Sequence, residues 1–416
     1  MFGGEITVDK TKIDTEKLNR ETCTHLVEII KSARKCKYLR QLGLSESFET
    51  YFNESNTFDM SRLNEFVEEF RTKCPISNYD DYASLIDSIY SRAETDVLLP
   101  GIPNFFALSS GTASGKSKII PNYYDIMREK SFFEFPHDIY VGIVQAFGIS
   151  QFNKMSKGID LLTRYIKGYS PVNKLPICNL STISGRLQND VEPQFAKHET
   201  DYKTRILTGL VYAASDRDLE YIKAVFLVTV VDFFHFFEQE FLSIVDHIEK
   251  GTLPYSSNQK EDDFFYGSKK IAEICLRPNK SRADELRKLI LDEKQAGNQK
   301  INLKNKINLI WPKFYAVFAI YSGSFEPCLN ICKSFCPTAF YVNSVYGSSE
   351  GLYAIGLPGK DNYLIMPSSL TYSIYSFIEF IPLNEAESTK TLLLNELEVG
   401  QTYDIVITSP LTGLIR

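Results

Sequence analysis

Apolar residues in the first part of the chain recur three and four positions apart, which is the spacing of one face of an α-helix. This pattern predicts a helix over residues 14–42, with Asp14 or Thr15 as its N-cap and Gly43 at its end. A second helix is predicted over about 60–72, and a shorter one follows. The apolar positions that support the first two helices are Leu18, Leu26, Ile29, Ile30, Leu39, Leu63, Phe66, Val67 and Phe70.

The middle of the chain combines a short apolar run with a long helical pattern. Residues 139–147 are mostly apolar and have the length of a buried strand, whereas 148–186 are rich in Gly, Ser, Asn and Pro and predict loops and short strands. From 202 to 251 the pattern predicts helix throughout. The most apolar part, 224–237, is too short to span a bilayer, so we interpret it as a buried helix.

Towards the end of the sequence short strands predominate. A helix is predicted from Ser281, which has a start resembling a capping box, to about residue 296. The polar segment 297–308 that follows is expected to form a mobile loop. Helices and strands together indicate an α/β protein. The remaining strands are predicted over 314–320, 339–345, 372–383 and 402–408.

The composition excludes several classes of protein. With 416 residues, of which 44% are hydrophobic and 24% charged, the chain resembles a soluble globular protein of two or three domain-sized units. Its net charge of −6 argues against a broad nucleic-acid-binding surface. The first residues lack the basic and apolar pattern of a secretion signal, so we expect a cytoplasmic protein that binds neither nucleic acid nor membrane. The sequence carries no signal for its oligomeric state.

The eight cysteines are predicted to be structural. No two of them form a C-x-x-C pair, the spacing that redox and zinc sites often use. Cys328, Cys332 and Cys336 follow one another at intervals of four, so they share one helical face, where small side chains can pack. Free thiols fit a reducing compartment such as the cytosol. A metal or redox site is the minor alternative.

One hydroxyl-rich loop offers the chemistry for binding phosphate. Residues 109–121 hold two glycines, two lysines and a series of Ser and Thr side chains between apolar residues and a proline. Glycines let a backbone approach an anion closely, while N–H groups, hydroxyls and lysine supply donors and positive charge. We interpret this loop as a binding site for the phosphates of a nucleotide. The alternative is an ordinary polar loop after a strand.

A Walker A loop is a more specific alternative, and its spacing is not met. That loop requires G-x-x-x-x-G-K-[ST] between a strand and a helix. Gly115, Lys116 and Ser117 supply the ending, but the position five before Gly115 is Ser110. Pro121 also disfavours a long helix directly after the loop. A P-loop nucleoside triphosphatase is therefore the minority interpretation.

Two further turns carry matching chemistry, and each follows a predicted strand. Residues 321–325 form a turn of mostly small residues, at the kind of strand end where open α/β sheets bind ligands. Residues 346–351 offer an aromatic ring for a base and hydroxyls for phosphate. Glu350 adds a carboxylate for Mg²⁺, a cation that prefers oxygen ligands.

Taken in order, these segments resemble the GH3 family of acyl-acid amido synthetases, which belongs to the firefly-luciferase-like adenylate-forming superfamily. The family's first motif is similar to Ser109-Ser110-Gly111-Thr112, Gly115 and Lys118-Ile119-Ile120-Pro121. Its second motif, Y-x-S-S-E, is similar to residues 346–350, and its Phe-Glu-Phe-x-Pro strand to residues 377–382. The resemblance begins at about residue 74.

The resemblance implies an α/β fold, namely the large N-terminal domain of the adenylate-forming fold, with mixed and mostly parallel sheets flanked by helices. It implies a helical lead-in over 1–73 packed on a GH3-like adenylation domain over 74–416 that ends at the hinge motif. Residues 413–416 match the opening of the third motif, with Ile415 in place of the family's tyrosine. Because the motif's aspartate and the C-terminal lid domain do not follow, we expect weak or no turnover from these 416 residues alone.

The implied reaction activates a small carboxylic acid with ATP and Mg²⁺ as an acyl-adenylate, and then joins it to the amine of an amino acid. An acyl-CoA ligase and a catalytically impaired nucleotide-binding relative are the alternatives. By resemblance, Lys118 would be catalytic by offsetting charge at the α-phosphate, and Glu350 would bind Mg²⁺. The residues that would bind the nucleotide are Ser109, Ser110, Gly111, Thr112, Gly115, Gly323, Ser324, Phe325, Tyr346, Gly347, Ser348 and Ser349.

Overall fold

The structure is a computed structural model. The strand predicted over 139–147 lies outside the part of the chain that it describes, as do Ser110, Gly111, Thr112 and Gly115 of the phosphate loop. The described residues are 15–109, 117–123, 157–162, 166–183, 190–199, 201–254, 273–294, 301–343, 345–356, 363–365, 376–383 and 390–416.

Helices predominate at the start of these ranges and strands at their end. The helices include α1 (Thr15–Ala33), α2 (Lys37–Gln41), α3 (Ser45–Glu49), α4 (Leu63–Lys73), α5 (Tyr79–Arg92), α6 (Leu180–Ile183), α7 (Tyr202–Ser215), α8 (Leu227–Lys250), α9 (Lys280–Lys294), α10 (Ile307–Ile310) and α11 (Glu326–Phe335). The strands include β1 (Phe105–Leu108), β2 (Ile119–Asn122), β3 (Gly158–Asp160), β4 (Ile166–Tyr169), β5 (Pro176–Cys178), β6 (Tyr221–Phe226), β7 (Ala316–Ile320), β8 (Phe340–Val342), β9 (Val345–Ser348), β10 (Gly351–Gly356), β11 (Tyr363–Ile365), β12 (Phe377–Pro382) and β13 (Tyr403–Thr408).

The single helix predicted over 14–42 is wrong, because the chain turns after α1 and begins again as α2. The N–H groups of Lys37 and Tyr38, at the start of α2, donate to the carbonyls of Asp96 and Val97 at 2.9 and 3.0 Å. A helix can start where its first N–H groups find partners outside the helix. These partners lie about sixty residues away, so the local spacing of apolar residues could not reveal the break.

A parallel sheet with strand order β3-β6-β7-β8 lies at the centre of the larger of the two apolar cores described here. Helices α7, α8, α9 and α11 pack on it around a continuous apolar core. Trp311 is fully buried in this core, where its indole N–H donates to the Ala213 carbonyl at 2.8 Å and its ring lies 5.5 Å from that of Phe237. No helix in the described ranges has both the length and the apolar character needed to cross a lipid bilayer.

The prediction of helix throughout 202–251 is also wrong, since β6 lies between α7 and α8. β6 pairs with a strand on each side; three of its six side chains are buried and two more are partly buried. Such a central strand is apolar on both faces, so its sequence cannot be told from a buried helix by periodicity. The apolar run 224–237 is therefore divided between the end of β6 and the start of α8.

The segment 297–308 is anchored rather than mobile over its described part, which begins at residue 301. Leu303 and Ile307 are buried in the core beneath α8. The Leu303 N–H donates to the carboxylate of Glu238 at 2.8 Å. Two apolar side chains four residues apart are enough to fix a segment whose overall composition is polar.

Three smaller sheets surround the parallel one. β2-β1-β5-β4 is mixed, whereas β11-β10-β9 and β12-β13 are antiparallel. The strand predicted over 339–345 is divided: β8 ends in the parallel sheet, and β9 begins a different one. Asn343 lies at this division, fully buried, and its side-chain oxygen accepts a bond from the Tyr321 N–H at 3.2 Å. This bond ties the end of β8 to the turn after β7.

The N-terminal helices share a second apolar core with distant parts of the chain. Leu26, Phe66 and Phe70 of α1 and α4 pack in one cluster with Phe106 of β1 and Ile415 near the last residue. This core joins the helices to the sheet that carries the phosphate loop. The division into units over 1–73 and 74–416 stays a prediction.

A buried cluster of charged side chains holds the edge strand β3. Arg205 donates to both carboxylate oxygens of Glu192 at 2.7 Å and to the Leu162 carbonyl at 3.1 Å. Lys197 pairs with Asp190 beside them. Burial raises the pKa of Glu192, while the neighbouring Arg205 opposes that rise. Periodicity could not reveal this cluster, because its members are separated along the sequence and meet only in the fold.

Gly413 is predicted to tolerate alanine less well than Gly43, although both have a left-handed backbone with φ of +68° and +69°. A Cβ at Gly413 would lie 2.8 Å from Leu99, whereas a Cβ at Gly43 would meet no atom within 4 Å. We expect Gly43→Ala to cost about 1 kcal/mol of unfolding free energy from backbone strain. Gly413→Ala should cost roughly 1–3 kcal/mol more, from overpacking. Urea denaturation measures both, and equal losses would contradict the packing described here.

Candidate functional site

The two ends of the phosphate loop are held together as the base of a hairpin. The Ser109 N–H donates to the Lys118 carbonyl at 3.0 Å, and the Lys118 N–H donates to the Ser109 hydroxyl at 2.8 Å. These bonds continue the antiparallel pairing of β1 with β2. A Walker A loop leads into a helix, whereas this loop leads into a strand. The geometry therefore excludes the P-loop interpretation.

Lys118 carries its charge at the mouth of this hairpin. Its Nζ lies 4.8 Å from the centre of the Tyr79 ring, within the range of a cation–π interaction. The Tyr79 hydroxyl donates to the Ile119 carbonyl at 3.0 Å, which fixes the ring beside β2. Burial raises the pKa of the Tyr79 hydroxyl above its ordinary value. Helix α5 thereby supports the lysine that the sequence singles out.

The second motif forms a two-residue turn between β9 and β10. Ser348 pairs with Gly351, so Ser349 and Glu350 occupy the turn itself. The Ser348 hydroxyl donates to the Glu350 carboxylate and accepts from the Glu350 N–H at 3.1 Å. The hydroxyl of Tyr353 also bonds to Ser348. These bonds set the direction of the carboxylate within a half-buried turn.

A hydrogen bond joins the second motif to the first. The Ser349 hydroxyl donates to the carbonyl of Leu108, the last residue of β1, at 3.3 Å. Leu108 directly precedes Ser109 at the base of the phosphate loop. The turn that contains Glu350 therefore lies beside the strand end from which the loop departs.

The third predicted element, the turn over 321–325, lies at the carboxyl end of β7. Gly323 has φ of +63°, and a Cβ there would meet no atom within 4 Å. The ring of Phe325 stacks on that of Phe226, with centroids 4.7 Å apart and planes 26° apart. Phe226 ends the neighbouring strand β6 and is partly exposed. The adjacent ends of two parallel strands thus present a pair of aromatic rings.

Tyr346 is exposed on β9, with its ring edge-on to that of Tyr353 at 5.7 Å. β9 lies beside β7. The bond between Tyr321 and Asn343 joins the turn after β7 to the residues that lead into β9. The structure therefore connects the 348–350 turn to the end of β1, next to the paired residues Ser109 and Lys118. The 321–325 turn is linked to the residues before β9 through Asn343.

Sequence reasoning missed Phe226 and Tyr79 as parts of this region. Phe226 was hidden because the run around it was predicted to be helical. Tyr79 lies in a segment that resembles the family's approach to its first motif, but nothing in the sequence shows that its ring would face Lys118. An aromatic residue at the last position of a buried strand is the signal that could have identified Phe226.

The donors near Glu350 fit a metal that is shared with a ligand. Within the described ranges, no group of three or more His, Cys, Asp or Glu side chains could hold an ion by itself. Mg²⁺ commonly takes one or two carboxylates and completes its octahedron with phosphate oxygens and water. A single oriented carboxylate beside a hydroxyl-rich loop matches that requirement. Cys332 and Cys336 lie elsewhere, buried in the core, where burial raises the pKa of Cys336 to about 12.

Comparison with known protein families gives two matches along the chain. The GH3 family N-terminal domain matches residues 9–339, and the GH3 family central domain matches residues 370–416. Together they account for most of the sequence.

Relatives with assigned activities are similar at low identity. An indole-3-acetic acid-amido synthetase of Arabidopsis thaliana, GH3.10, is 24% identical over 409 residues, which cover 91% of this chain and 65% of the relative. A jasmonoyl–L-amino acid synthetase of Oryza sativa subsp. japonica, GH3.5, is 24% identical over 438 residues, which cover 97% and 66%. A 4-substituted benzoates-glutamate ligase of Arabidopsis thaliana, GH3.12, is 23% identical over 378 residues, covering 84% and 59%. The chain thus spans about two thirds or less of these proteins.

Among solved structures, the GH3.15 acyl acid amido synthetase matches with a TM-score of 0.69 at 18% identity, covering 97% of this chain and 65% of that chain. The same enzyme in complex with 2,4-DB matches with a TM-score of 0.65 at 17% identity and the same coverage. These likenesses confirm the predicted α/β fold of the adenylate-forming type.

Proposed function

The chain belongs to the GH3 family, and from this membership and the arrangement of its loops we propose that it serves the ATP-dependent activation of a carboxylic acid. The acid becomes an acyl-adenylate, and its acyl group then passes to the amine of an amino acid. Relatives named for indole-3-acetic acid, jasmonate and benzoate conjugation support a small carboxylic acid as substrate. Because the chain spans about two thirds of these relatives, the activity of the whole protein is part of the proposal.

The observation that carries the proposal is the hydrogen bond between Ser349 and Leu108. It sets an oriented carboxylate beside a hydroxyl-rich loop, which are the two kinds of group that a metal-bound triphosphate needs. We assign the phosphates to this junction. Ser109 and Lys118 contact them from the described base of the loop, and Ser110, Gly111, Thr112 and Gly115 from the segment between.

In the first step an oxygen of the substrate carboxylate forms a bond to the α-phosphorus, and the bond from that phosphorus to the leaving oxygen breaks to release pyrophosphate. Negative charge grows on the phosphate oxygens as this happens. The Lys118 ammonium stabilises that charge from a position fixed by the Tyr79 ring. Glu350 would hold Mg²⁺, which when bound orients the phosphates and offsets their charge.

We assign the adenine to the turn over 321–325 and to Tyr346. The open space around Gly323 allows a planar ring to approach the backbone of the turn. The stacked rings of Phe325 and Phe226 support one edge of this space. Ser324, Gly347 and Ser348 complete the nucleotide contacts in this assignment.

We also propose that the protein works in the cytosol. All eight cysteines lie in the described ranges and are free, and seven of them are at least partly buried. Unpaired thiols in this number are typical of a reducing compartment.

Replacement of Lys118 or Glu350 is predicted to abolish the first reaction. In an assay of pyrophosphate exchange into ATP by the full-length protein, we expect exchange that depends on an added carboxylic acid. Lys118→Ala and Glu350→Ala should each lower it by about 10²–10³-fold, the usual effect of removing one charge-stabilising group. Lys35→Ala and Glu54→Ala, at exposed sites on other parts of the chain, are the matched controls and should retain it.

Two results would contradict the proposal. ATP turnover that is equal with and without acid would indicate a hydrolase, and unchanged exchange in both site variants would remove the assigned roles. Release of AMP with coenzyme A as the preferred acceptor, over any amino acid, would support the acyl-CoA ligase alternative instead.

The aromatic pair is predicted to contribute to nucleotide affinity. Phe226→Leu removes the ring that supports Phe325, so we expect the dissociation constant for Mg·ATP to rise about fivefold, roughly 1 kcal/mol. Phe236→Leu, on α8, removes a similar ring that lies against Lys203, a residue with no part in the proposed site, and should leave affinity unchanged. Titration calorimetry measures both constants. Equal affinities for the two variants would place the adenine elsewhere.

A further inference from the structure

The N-terminal helices make hydrogen bonds to the segment 409–416. The last four residues of this segment match the opening of the third family motif. Tyr82 of α5 is buried, and its hydroxyl makes two bonds to Ile415: it donates to the carbonyl at 2.6 Å and accepts from the N–H at 3.1 Å. The hydroxyl of Tyr38 in α2 lies 3.0 Å from the Tyr82 oxygen. One phenol thus holds both polar backbone groups of a residue 333 positions away.

Arg416 adds a second attachment to the same helices. Its buried guanidinium donates to the Cys74 carbonyl at 2.9 Å and to the Arg71 carbonyl, both at the end of α4. It also lies 3.2 Å from the carboxylate of Glu379 in β12. The segment is therefore fixed against α4, α5 and β12 together.

The other end of this segment reaches the second motif. Ser409 is fully buried, and its hydroxyl donates to the Glu350 carbonyl at 2.6 Å. Its N–H donates to the Leu414 carbonyl at 2.8 Å, and its carbonyl accepts from the Gly413 N–H at 3.1 Å. These bonds close 409–414 into a turn, so displacement of Ile415 is transmitted to Ser409.

We propose that Tyr82 and Ser409 are positioning residues for Glu350, and that the N-terminal helices hold the metal-binding carboxylate in place through the segment 409–416. The inference rests on the proposed function in so far as it assigns Mg²⁺ to Glu350. The path runs from Tyr82 to Ile415, through the closed turn to Ser409, and on to the backbone of Glu350. The side chains of Tyr82 and Ser409 are both buried. When one of their bonds is lost, the polar group that remains cannot bond to water instead, so the loss is costly.

The path matters because Ser409 bonds to the backbone of Glu350 itself. Its side chain lies in a two-residue turn and bonds to the neighbouring Ser348 hydroxyl. The bonds from Ser349 and Ser409 join this turn to distant parts of the described chain. A shift of about 1 Å at a reacting group costs on the order of 10²-fold in rate.

Tyr82→Phe and Ser409→Ala test the path, with Tyr51→Phe as the matched control. Tyr51 is buried in the same helical core, and its hydroxyl bonds to Glu69 at 2.5 Å rather than to the 409–416 segment. Amide hydrogen exchange followed by mass spectrometry should show faster exchange in residues 345–351 as well as 409–416 for both test variants. Tyr51→Phe should change neither segment, even where it lowers global stability by a similar amount.

Magnesium dependence supplies the second measurement. We expect both test variants to weaken ATP binding about five- to tenfold at saturating Mg²⁺, and to leave metal-free ATP binding unchanged. Because the two residues act along one path, the double variant should be no weaker than the worse single variant.

Faster exchange confined to 409–416, or the same exchange at 345–351 in Tyr51→Phe as in Tyr82→Phe, would overturn the proposal. Additive losses in the double variant would also overturn it. If the unmodified protein bound no Mg·ATP, the proposed function would fail, while the exchange pattern at 345–351 would still decide whether these residues position Glu350.

Discussion

The hydrogen bond from Ser349 to the Leu108 carbonyl is the contact on which the candidate site depends. It joins two segments 241 residues apart, each of which alone is only a polar turn. Strand β1 delivers the base of the hydroxyl-rich loop, and β9 delivers the turn with the carboxylate. Both groups lie at the ends of short strands. They can meet only if the two sheets that contain these strands are held in a fixed position relative to each other.

Two features of the structure hold the two sheets in that position. On one side, Asn343 links the end of β8 to the turn after β7, so the chain can leave the parallel sheet and enter β9 at a defined point. On the other side, the N-terminal helices, β1 and the residues before Arg416 share one core, in which Phe106 and Ile415 are buried. The candidate site therefore draws on elements of both cores, and α5 contributes to its geometry through Tyr79 beside Lys118.

The sequence predicted the family and several individual elements, whereas parts of the framework around the candidate site could not be predicted from it. Local patterns were sufficient for α4, α9 and β13, and ordered motifs were sufficient for the family. The break after α1 depends on carbonyls near residue 96, and β6 resembles a helix because a central strand is apolar on both faces. The contacts from Tyr82 to Ile415 and from Phe226 to Phe325 could not be predicted, because each depends on how separate elements pack.

The central claim is that the loop after β1 and the turn before β10 bind one metal-bearing triphosphate. A crystal structure of the protein with Mg²⁺ and a non-hydrolysable ATP analogue tests it most directly. We expect the phosphates between Ser109, Lys118 and the 348–350 turn, with the metal on a Glu350 oxygen at about 2.1 Å. A nucleotide bound away from these residues, or a metal with no contact to Glu350, would contradict it.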